Sequence, residues 1–258
     1  TLLTPEDPRA IDLYSDAQIK LSGTPYLYKT VMDHTGNYIL SSKRAENFAD
    51  FLIANNLQTK QVNIDNKLQT IRFVSIQMVK NHMNIRAKKY EPLVDKYSKQ
   101  YNISKNLVFA IMQTESDFNP FAISSANAIG LMQIVPTSAG RDVYRFIYNK
   151  NQTPNQEFLY DASNNIQFGT AYLHILDNKY LNQINDPISR EYCTIAGYNT
   201  GAGNVLKVFS KDKNKAFLEI NKMSPSQIYN ELLQNLPYDE TKKYLDKVLT
   251  NKKNFINI

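Results

Sequence analysis

The sequence has very little of the chemistry that builds disulfides or metal sites. Its 258 residues include no tryptophan and a single cysteine, Cys193, so an intramolecular disulfide is excluded. Cys193 lies in an apolar run, which predicts a buried core residue. The histidines His34, His82 and His174 are widely scattered, whereas zinc hydrolases place two histidines one helical turn apart. We therefore predict neither a metal ion nor any other cofactor.

Long apolar runs and a leader sequence are also lacking. The longest uninterrupted apolar segment covers residues 107–112, whereas a membrane-spanning helix needs about 18 residues or more. Residues 1–8 have neither the basic start nor the apolar centre of a signal peptide. Either export is not required or an export segment has been removed, and the sequence leaves both open.

Positive charge, in contrast, is in excess. Lysine and arginine number 30 against 24 aspartate and glutamate residues, which gives a net charge of +6. A basic surface aids solubility, and it also attracts polyanions such as nucleic acid, anionic lipid or an anionic wall polymer. Charge alone favours the first interpretation. No nucleic-acid-binding motif accompanies the charge, so we predict no nucleic-acid partner.

Hydrophobic periodicity divides the chain into two parts. Residues 45–53 have helical spacing. Residues 65–67 form a plausible hairpin turn between the runs 62–64 and 71–78, and positions 74, 76 and 78 of the second run are apolar in alternation, as in a half-buried strand. The pattern then becomes helical throughout. We predict an α+β protein with a small α+β accessory domain over residues 1–85 and a mainly α-helical catalytic domain over residues 86–258.

Glu115 is the strongest candidate for a catalytic residue. Leu107, Ile111 and Glu115 are spaced by four, so they share a helix face that is otherwise apolar. A carboxyl group at the end of a buried stripe loses hydration, which raises its pKa. It then stays protonated near neutral pH, as a general acid for a glycosidic oxygen must. A glutamate in a last helical turn can also simply reach solvent, and the surrounding motifs decide in favour of the acid.

Three short motifs give Glu115 a familiar context. Ser116 follows Glu115, residues 128–133 read Ala-Ile-Gly-Leu-Met-Gln, and residues 196–203 read Ala-Gly-Tyr-Asn-Thr-Gly-Ala-Gly. In this order they resemble the lytic transglycosylases, lysozyme-like enzymes that cut the glycan strands of bacterial cell wall. Gly197 departs from the family, which usually has alanine there. The resemblance covers nearly the whole chain, including the region that precedes the catalytic domain in a membrane-bound branch of the family.

The resemblance implies a lysozyme-like catalytic domain in which Glu115 is the single acid and base. It also implies that six further side chains contact the substrate: Ser116, Ser124, Gln133, Tyr198, Asn199 and Tyr244. Two of them have alternative roles, because Ser116 could merely close its helix and Asn199 could cap the next one. Gly130 and Met132 are expected to shape the floor of the cleft.

The resemblance further implies cleavage of the MurNAc-β-1,4-GlcNAc bond without water. No convincing second carboxylate is evident, since Asp117 is only two residues from Glu115 and points elsewhere on a helix. In the family the substrate's own N-acetyl group and C6 hydroxyl replace it, and the product carries a 1,6-anhydro-MurNAc end. The alternatives are a goose-type lysozyme hydrolase and a non-catalytic peptidoglycan-binding protein on the same fold. Joint retention of Glu115, Gln133, Tyr198 and Tyr244 argues against the latter.

The implied partner is the glycan strand of peptidoglycan, and the implied location is the periplasm, at the outer membrane. The family's N-terminal region begins further upstream, so the chain looks clipped at its start. The family's lipid-bearing cysteine is absent from it. Membrane contact is therefore expected only through a lipid anchor outside this chain, as in an outer-membrane lipoprotein. Nothing indicates a protein partner.

Overall fold

The computed structural model describes residues 2–5 and 24–256, and the chain divides into two compact units, Thr1–Arg86 and Ala87–Ile258. Each unit is described by itself below. In the described residues, no helix has both the length and the apolar character that crossing a membrane requires.

The first unit is built around one helix, α1 (Ser42–Asn56). Its predicted periodicity is confirmed, because Phe48 and Leu52 are buried and pack with Val31 and Ile39 in one small core. This core consists of four buried side chains with a few partly buried neighbours. Each fully buried aliphatic or aromatic side chain contributes about 1.5–3 kcal/mol, so the first unit rests on a modest hydrophobic contribution.

A two-stranded antiparallel hairpin follows, β1 (Gln58–Ile64) and β2 (Lys67–Phe73). The turn between them uses Asp65 and Asn66, both with positive φ (49° and 61°), as a two-residue hairpin turn demands. The predicted turn is therefore confirmed.

The second run, predicted as strand over residues 71–78, is strand only to Phe73, where β2 ends, so the prediction for residues 74–78 is wrong. Gln58, the first residue of β1, pairs with Phe73. No residue of β1 is therefore left to pair with residues 74–78. Val74 and Ile76 instead pack against the α1 core without ladder hydrogen bonds, and Met78 makes only an isolated bridge to Val31. Val74 and Ile76 do alternate toward the core, as the pattern predicted. An extended segment that packs on one side of a core shows this alternation even without pairing to another strand.

The second unit consists of helices joined by short connections. Two long helices come first, and eight further α-helices follow after an irregular segment: α2 (His82–Tyr101), α3 (Lys105–Ser116), α4 (Arg141–Tyr148), α5 (Gln156–Tyr160), α6 (Ala162–Ile175), α7 (Pro187–Thr200), α8 (Ala202–Phe209), α9 (Lys213–Ile220), α10 (Pro225–Asn235) and α11 (Asp239–Lys252). Two π-helical turns, Pro136–Gly140 and Leu176–Tyr180, and a 3₁₀ turn, Lys253–Phe255, complete the set. The predicted α+β class is confirmed.

Helix α3 lies at the centre of the second unit. All its residues from Leu107 to Met112 are buried, and α11 packs along it through the buried residues Tyr244, Leu245 and Val248. At the far end of this contact, Asn251 Nδ2 donates a 3.0 Å hydrogen bond to Thr114 Oγ1. The pairing of α3 with α11 brings together residues that are more than a hundred positions apart in sequence.

Candidate active site

Glu115 lies in the last turn of α3 because the helix is stopped immediately after it. Asp117 adopts a left-handed conformation (φ 50°), and its backbone N–H donates back to the Gln113 carbonyl. Phe118 also has positive φ (60°), so the chain turns away from the helix axis. Such a left-handed C-cap is a common way to end a helix. As a result, the apolar stripe of α3 ends on a carboxyl group.

The carboxyl group of Glu115 meets a tyrosine from α11. Tyr244 Oη donates a 2.7 Å hydrogen bond to Glu115 Oε1. Burial raises the pKa of Glu115 from 4.5 to about 7, and the nearby Glu240 carboxylate acts in the same direction, whereas the Tyr244 hydrogen bond and Lys247 oppose the rise. Desolvation dominates because it disfavours the charged form. The side chain is therefore about half protonated at neutral pH.

The loop that faces Glu115 is held by a buried asparagine, Asn165 on α6. Its Nδ2 donates 2.8 Å hydrogen bonds to the carbonyls of Ile129 and Leu159, and its Oδ1 accepts a 2.8 Å hydrogen bond from the Met132 N–H. Three backbone groups are thus satisfied by one side chain. Gly130 makes this close approach possible: it has φ +76°, and a Cβ there would lie 2.9 Å from the Leu159 carbonyl oxygen.

Tyr198 and Asn199 enter the site from the last turn of α7. Tyr198 Oη donates a 2.8 Å hydrogen bond to the Met132 carbonyl, so it fastens the loop rather than the acid. Asn199 Oδ1 accepts a 2.7 Å hydrogen bond from Thr241 Oγ1 on α11. That bond orients the amide so that its NH₂ group remains available to an acceptor in the cleft.

These side chains surround one cleft of about 400 Å³. The residues predicted as site residues that line it are Glu115, Ser124, Gln133, Tyr198 and Asn199. Tyr244 reaches the site through its hydrogen bond to Glu115. Six of the seven predicted residues are therefore brought to one place, although whether they contact substrate stays a prediction.

Ser116 is the predicted residue that does not reach the cleft. Its hydroxyl donates a hydrogen bond to the carbonyl of Leu131 (2.8 Å), and the Met112 carbonyl oxygen lies 3.2 Å from the same hydroxyl oxygen. Because Ser116 follows Glu115 by one position, it leaves α3 in a different direction and meets the back of the loop. The geometry gives it the role of fixing the loop to the helix, which is close to the alternative of closing the helix.

Gln133 and Ser124 line the cleft but are partly engaged by the loop itself. Gln133 has φ 47°, and its Nε2 donates to the carbonyls of Gly130 (2.9 Å) and Ala122 (3.1 Å). Ser124 Oγ accepts from the N–H groups of Ala126 and Ala128. Gln133 therefore presents only its amide oxygen to a ligand.

The lining residues that were not predicted include three with polar or ionisable side chains, Tyr172, Ser138 and Glu240. Tyr172 lies on α6 with its ring 5.5 Å from that of Tyr198, and burial raises its pKa to about 12. Glu240 stands in the first turn of α11. Tyr244 was predicted as a site residue but Glu240 was not, and the i, i+4 spacing between the two on a helix was the available signal. Within residues 2–5 and 24–256, no group of three or more His, Cys, Asp or Glu side chains could hold a metal ion.

Comparison with known proteins identifies both units. Residues 1–89 match the family described as "Membrane-bound lytic murein transglycosylase C, N-terminal domain", and residues 92–221 match the family "Transglycosylase SLT domain". Proteins named "Membrane-bound lytic murein transglycosylase C" from Yersinia pestis (strain Pestoides F) and Yersinia pseudotuberculosis serotype O:1b (strain IP 31758) are each 47% identical to this chain over 256 residues, covering 99% of it and 70% of their own length.

The chain belongs to the lytic murein transglycosylase C family. The predicted resemblance is thus confirmed. A solved structure described as a complex of the 70-kDa soluble lytic transglycosylase with bulgecin A superposes with a TM-score of 0.50 at 22% identity, over 69% of this chain and 26% of that one. This likeness shows a shared fold and supports the lysozyme-like assignment of the transglycosylase unit.

Proposed function

We propose that this chain is a peptidoglycan lytic transglycosylase that cleaves the MurNAc-β-1,4-GlcNAc bond and leaves 1,6-anhydro-MurNAc ends. The observation that carries the proposal is the state of Glu115: a carboxyl group in a cleft, with a pKa near 7 and a 2.7 Å hydrogen bond from Tyr244. A general acid is most effective when its pKa lies near the working pH. Membership of the transglycosylase family supplies the reaction class.

Glu115 has two tasks in the proposed reaction. Its proton goes to the glycosidic oxygen as the bond from that oxygen to C1 of the muramic residue breaks. The carbonyl oxygen of the substrate's N-acetyl group stabilises the positive charge that develops at C1. The muramic C6 hydroxyl oxygen then attacks C1, and the Glu115 carboxylate takes the hydroxyl proton, which restores the starting state. No water molecule is consumed.

Tyr244 suits both halves of this cycle. Its hydroxyl donates to Oε1, which leaves the other carboxyl oxygen to carry the mobile proton. A hydrogen bond to a carboxylate favours the charged form, so Tyr244 keeps the pKa of Glu115 from rising further with burial. After Glu115 has protonated the glycosidic oxygen, its carboxylate is therefore stable enough to act as the base in the second step.

The remaining lining residues are proposed to hold the sugars. The free NH₂ of Asn199 is a donor for a carbonyl such as that of an N-acetyl group. The amide oxygen of Gln133 is an acceptor for a sugar hydroxyl. Ser124 presents its hydroxyl to the same cleft. Tyr198 contributes indirectly, by fixing the Met132 carbonyl and with it the loop.

One observation favours a hydrolase as a second candidate. Glu240 lines the same cleft as Glu115, and a second carboxylate could activate water in an inverting glycosidase. Family membership favours the transglycosylase. The two reactions are separated by digestion in heavy-oxygen water. Label at C1 of most products means hydrolysis, whereas unlabelled anhydro products support the proposal.

The decisive experiment compares the chain with Glu115→Gln on purified sacculi, with released muropeptides identified by mass spectrometry. We expect anhydro products from the unaltered chain and at least a 100-fold loss with the variant, within the range that a general acid contributes. Glu240→Gln is the matched control, and it should retain activity. If Glu115→Gln keeps more than about a tenth of the activity, a barrier change under ~1.4 kcal/mol, the acid lies elsewhere.

We further propose a place in the cell envelope, since the relatives are named membrane-bound. The finer assignment is the periplasm, with attachment to the outer membrane through a lipid anchor on the full-length lipoprotein. Residues 1–85 are proposed to act as an accessory domain, and residues 86–258 as the catalytic domain. The glycan strand is the proposed partner.

A further inference from the structure

A second pocket adjoins the candidate active site. Ser138 and Ala139, in the π-helical turn, line the cleft, and Arg141, at the start of α4, lines an open pocket of about 550 Å³ together with Asn151, Gln152 and Thr153. Ala139 and Arg141 are only two positions apart, so their Cα atoms lie at most about 7–8 Å from each other. The linings of the two cavities therefore meet within a short stretch of chain.

The far wall of the second pocket is held in place by specific contacts. Pro154 packs on Gly140 so closely that a Cβ at Gly140 would lie 3.0 Å from its ring. Arg145 Nη2 donates a 2.8 Å hydrogen bond to Asn151 Oδ1. The loop that carries Asn151, Gln152 and Thr153 is thereby tied both to the π-helical turn and to α4. The pocket is a built feature of the second unit.

The two cavities differ in charge. The cleft is lined by two carboxylates, Glu115 and Glu240, and by no lysine or arginine among the described residues. Arg141 is exposed and has no ion-pair partner within residues 2–5 and 24–256. The neighbouring Asp142 already accepts a 2.9 Å hydrogen bond from Tyr180 Oη. Lys247 acts on Glu115 from α11, and an anionic group of the substrate that extends past Ser138 and Ala139 meets a second cation at Arg141.

We propose that the Arg141 pocket binds a free carboxylate of the peptide stem carried by the strand in the cleft. This inference rests on the proposed function. The planar guanidinium of Arg141 can hold a carboxylate through two parallel hydrogen bonds. The side-chain amides of Asn151 and Gln152 can bind the peptide groups next to it. The peptide stem, and not only the sugar, then determines which strands are bound well.

The test measures kcat and KM of the full chain on two soluble substrates, glycan fragments that carry peptide stems and the same fragments with the stems removed. Arg141→Ala should raise KM about tenfold or more on stem-bearing fragments, the loss expected for a hydrogen bond to a charged group. Its kcat, and its KM on stem-free fragments, should change less than about twofold. Arg141→Lys keeps the positive charge but not the planar guanidinium that can form two parallel hydrogen bonds. Its KM on stem-bearing fragments should lie between those of the unaltered chain and Arg141→Ala.

Two controls make the result specific. Lys211→Ala removes an exposed positive charge elsewhere in the second unit, and it should leave all four constants unchanged. Amidation of the stem carboxylates should raise KM for the unaltered chain as much as Arg141→Ala does, with no further effect of that substitution. Equal effects of Arg141→Ala on both substrates, or no effect on either, would overturn the inference. Absence of cleavage of both substrates by the unaltered chain would contradict the proposed function instead.

Discussion

At the scale of single residues, hydrophobic spacing predicted where the Glu115 carboxyl group lies but not its hydrogen-bond partner. The spacing of Leu107, Ile111 and Glu115 is local, so it showed which helix face carries the carboxyl group. The hydrogen bond from Tyr244 joins residues 129 positions apart. Hydrophobic periodicity is a local pattern, so it cannot predict such a contact. Only the family resemblance singled out Tyr244. The raised pKa of Glu115 could be anticipated in direction, because desolvation follows from an apolar stripe, but the contribution of Glu240 could not.

The raised pKa of Glu115 predicts that this carboxyl group costs stability at neutral pH. Below pH 4.5 it is protonated in both folded and unfolded chains. Between pH 4.5 and 7 the unfolded chain ionises first, so folding stability falls, and above pH 7 the loss stays constant. Glu115→Gln escapes this loss. We expect its stability advantage over the unaltered chain to grow by about 1–3 kcal/mol between pH 4 and pH 8.

Urea unfolding at both pH values measures this difference. Glu219→Gln, which changes a carboxylate that is exposed and paired with Lys222, is the control and should show no such growth. An advantage that is the same at pH 4 and pH 8 would mean that Glu115 has an ordinary pKa in the folded protein.

The Tyr244 hydroxyl predicts a shift in the pH profile of activity. Its hydrogen bond lowers the pKa of Glu115, so Tyr244→Phe should raise that pKa. A general acid must be protonated, and activity therefore falls as pH rises through its pKa. The alkaline limb of kcat/KM, expected near pH 7, should move to higher pH in Tyr244→Phe. Tyr180→Phe is the control, because it removes a hydroxyl that donates a hydrogen bond to Asp142 and not to Glu115. The alkaline limb of kcat/KM should be unchanged in this variant. A downward move in Tyr244→Phe would contradict the assignment.

At the scale of elements, helices with an apolar stripe were predictable and the connecting loop was not. α1 follows the periodicity of its own residues, since it buries one face, whereas the apolar run of α3 is buried on all sides from Leu107 to Met112. The loop from Asn119 to Val135 has no periodicity to read, because its shape is imposed by hydrogen bonds to distant side chains. Asn165 and Tyr198 supply those bonds from α6 and α7. A buried asparagine within an apolar helix is the one sequence signal that could have revealed this arrangement.

The dependence of the loop on Asn165 predicts a large loss of stability on its removal. Asn165→Ala leaves the carbonyls of Ile129 and Leu159 and the N–H of Met132 without their partner. An unsatisfied buried polar group costs about 1–3 kcal/mol, and we expect a total loss of about 3 kcal/mol or more. The neighbouring Asn164 makes one long 3.3 Å side-chain bond, so Asn164→Ala should cost less than about 1 kcal/mol. Thermal and urea unfolding measure both, and similar losses would show that the loop is held by other contacts.

At the scale of the whole molecule, the sequence predicted two parts because their periodicities differ in kind. The first 85 residues mix helical and alternating patterns, whereas the rest is helical. The cleft, in contrast, could not be located from the pattern. It is formed where the end of α3, the end of α7 and the start of α11 meet, and the order of helices along the chain does not specify which of their ends adjoin.

The distribution of lining residues leads to the last prediction. Among residues 2–5 and 24–256, every residue that lines the cleft lies between Glu115 and Glu240, so we expect the second unit to carry the chemistry by itself. A chain of residues 80–258 keeps α2 whole, and we expect its kcat on short soluble glycan fragments to be within about threefold of that of the full chain. We also propose that the accessory domain holds the enzyme at the cell wall, and we therefore expect the shortened chain to bind whole sacculi more weakly, as measured by co-sedimentation. Glu115→Gln in the shortened chain sets the background. If circular dichroism shows a helical, folded chain that does not turn over short fragments, the first unit forms part of the cleft and the division of roles is wrong.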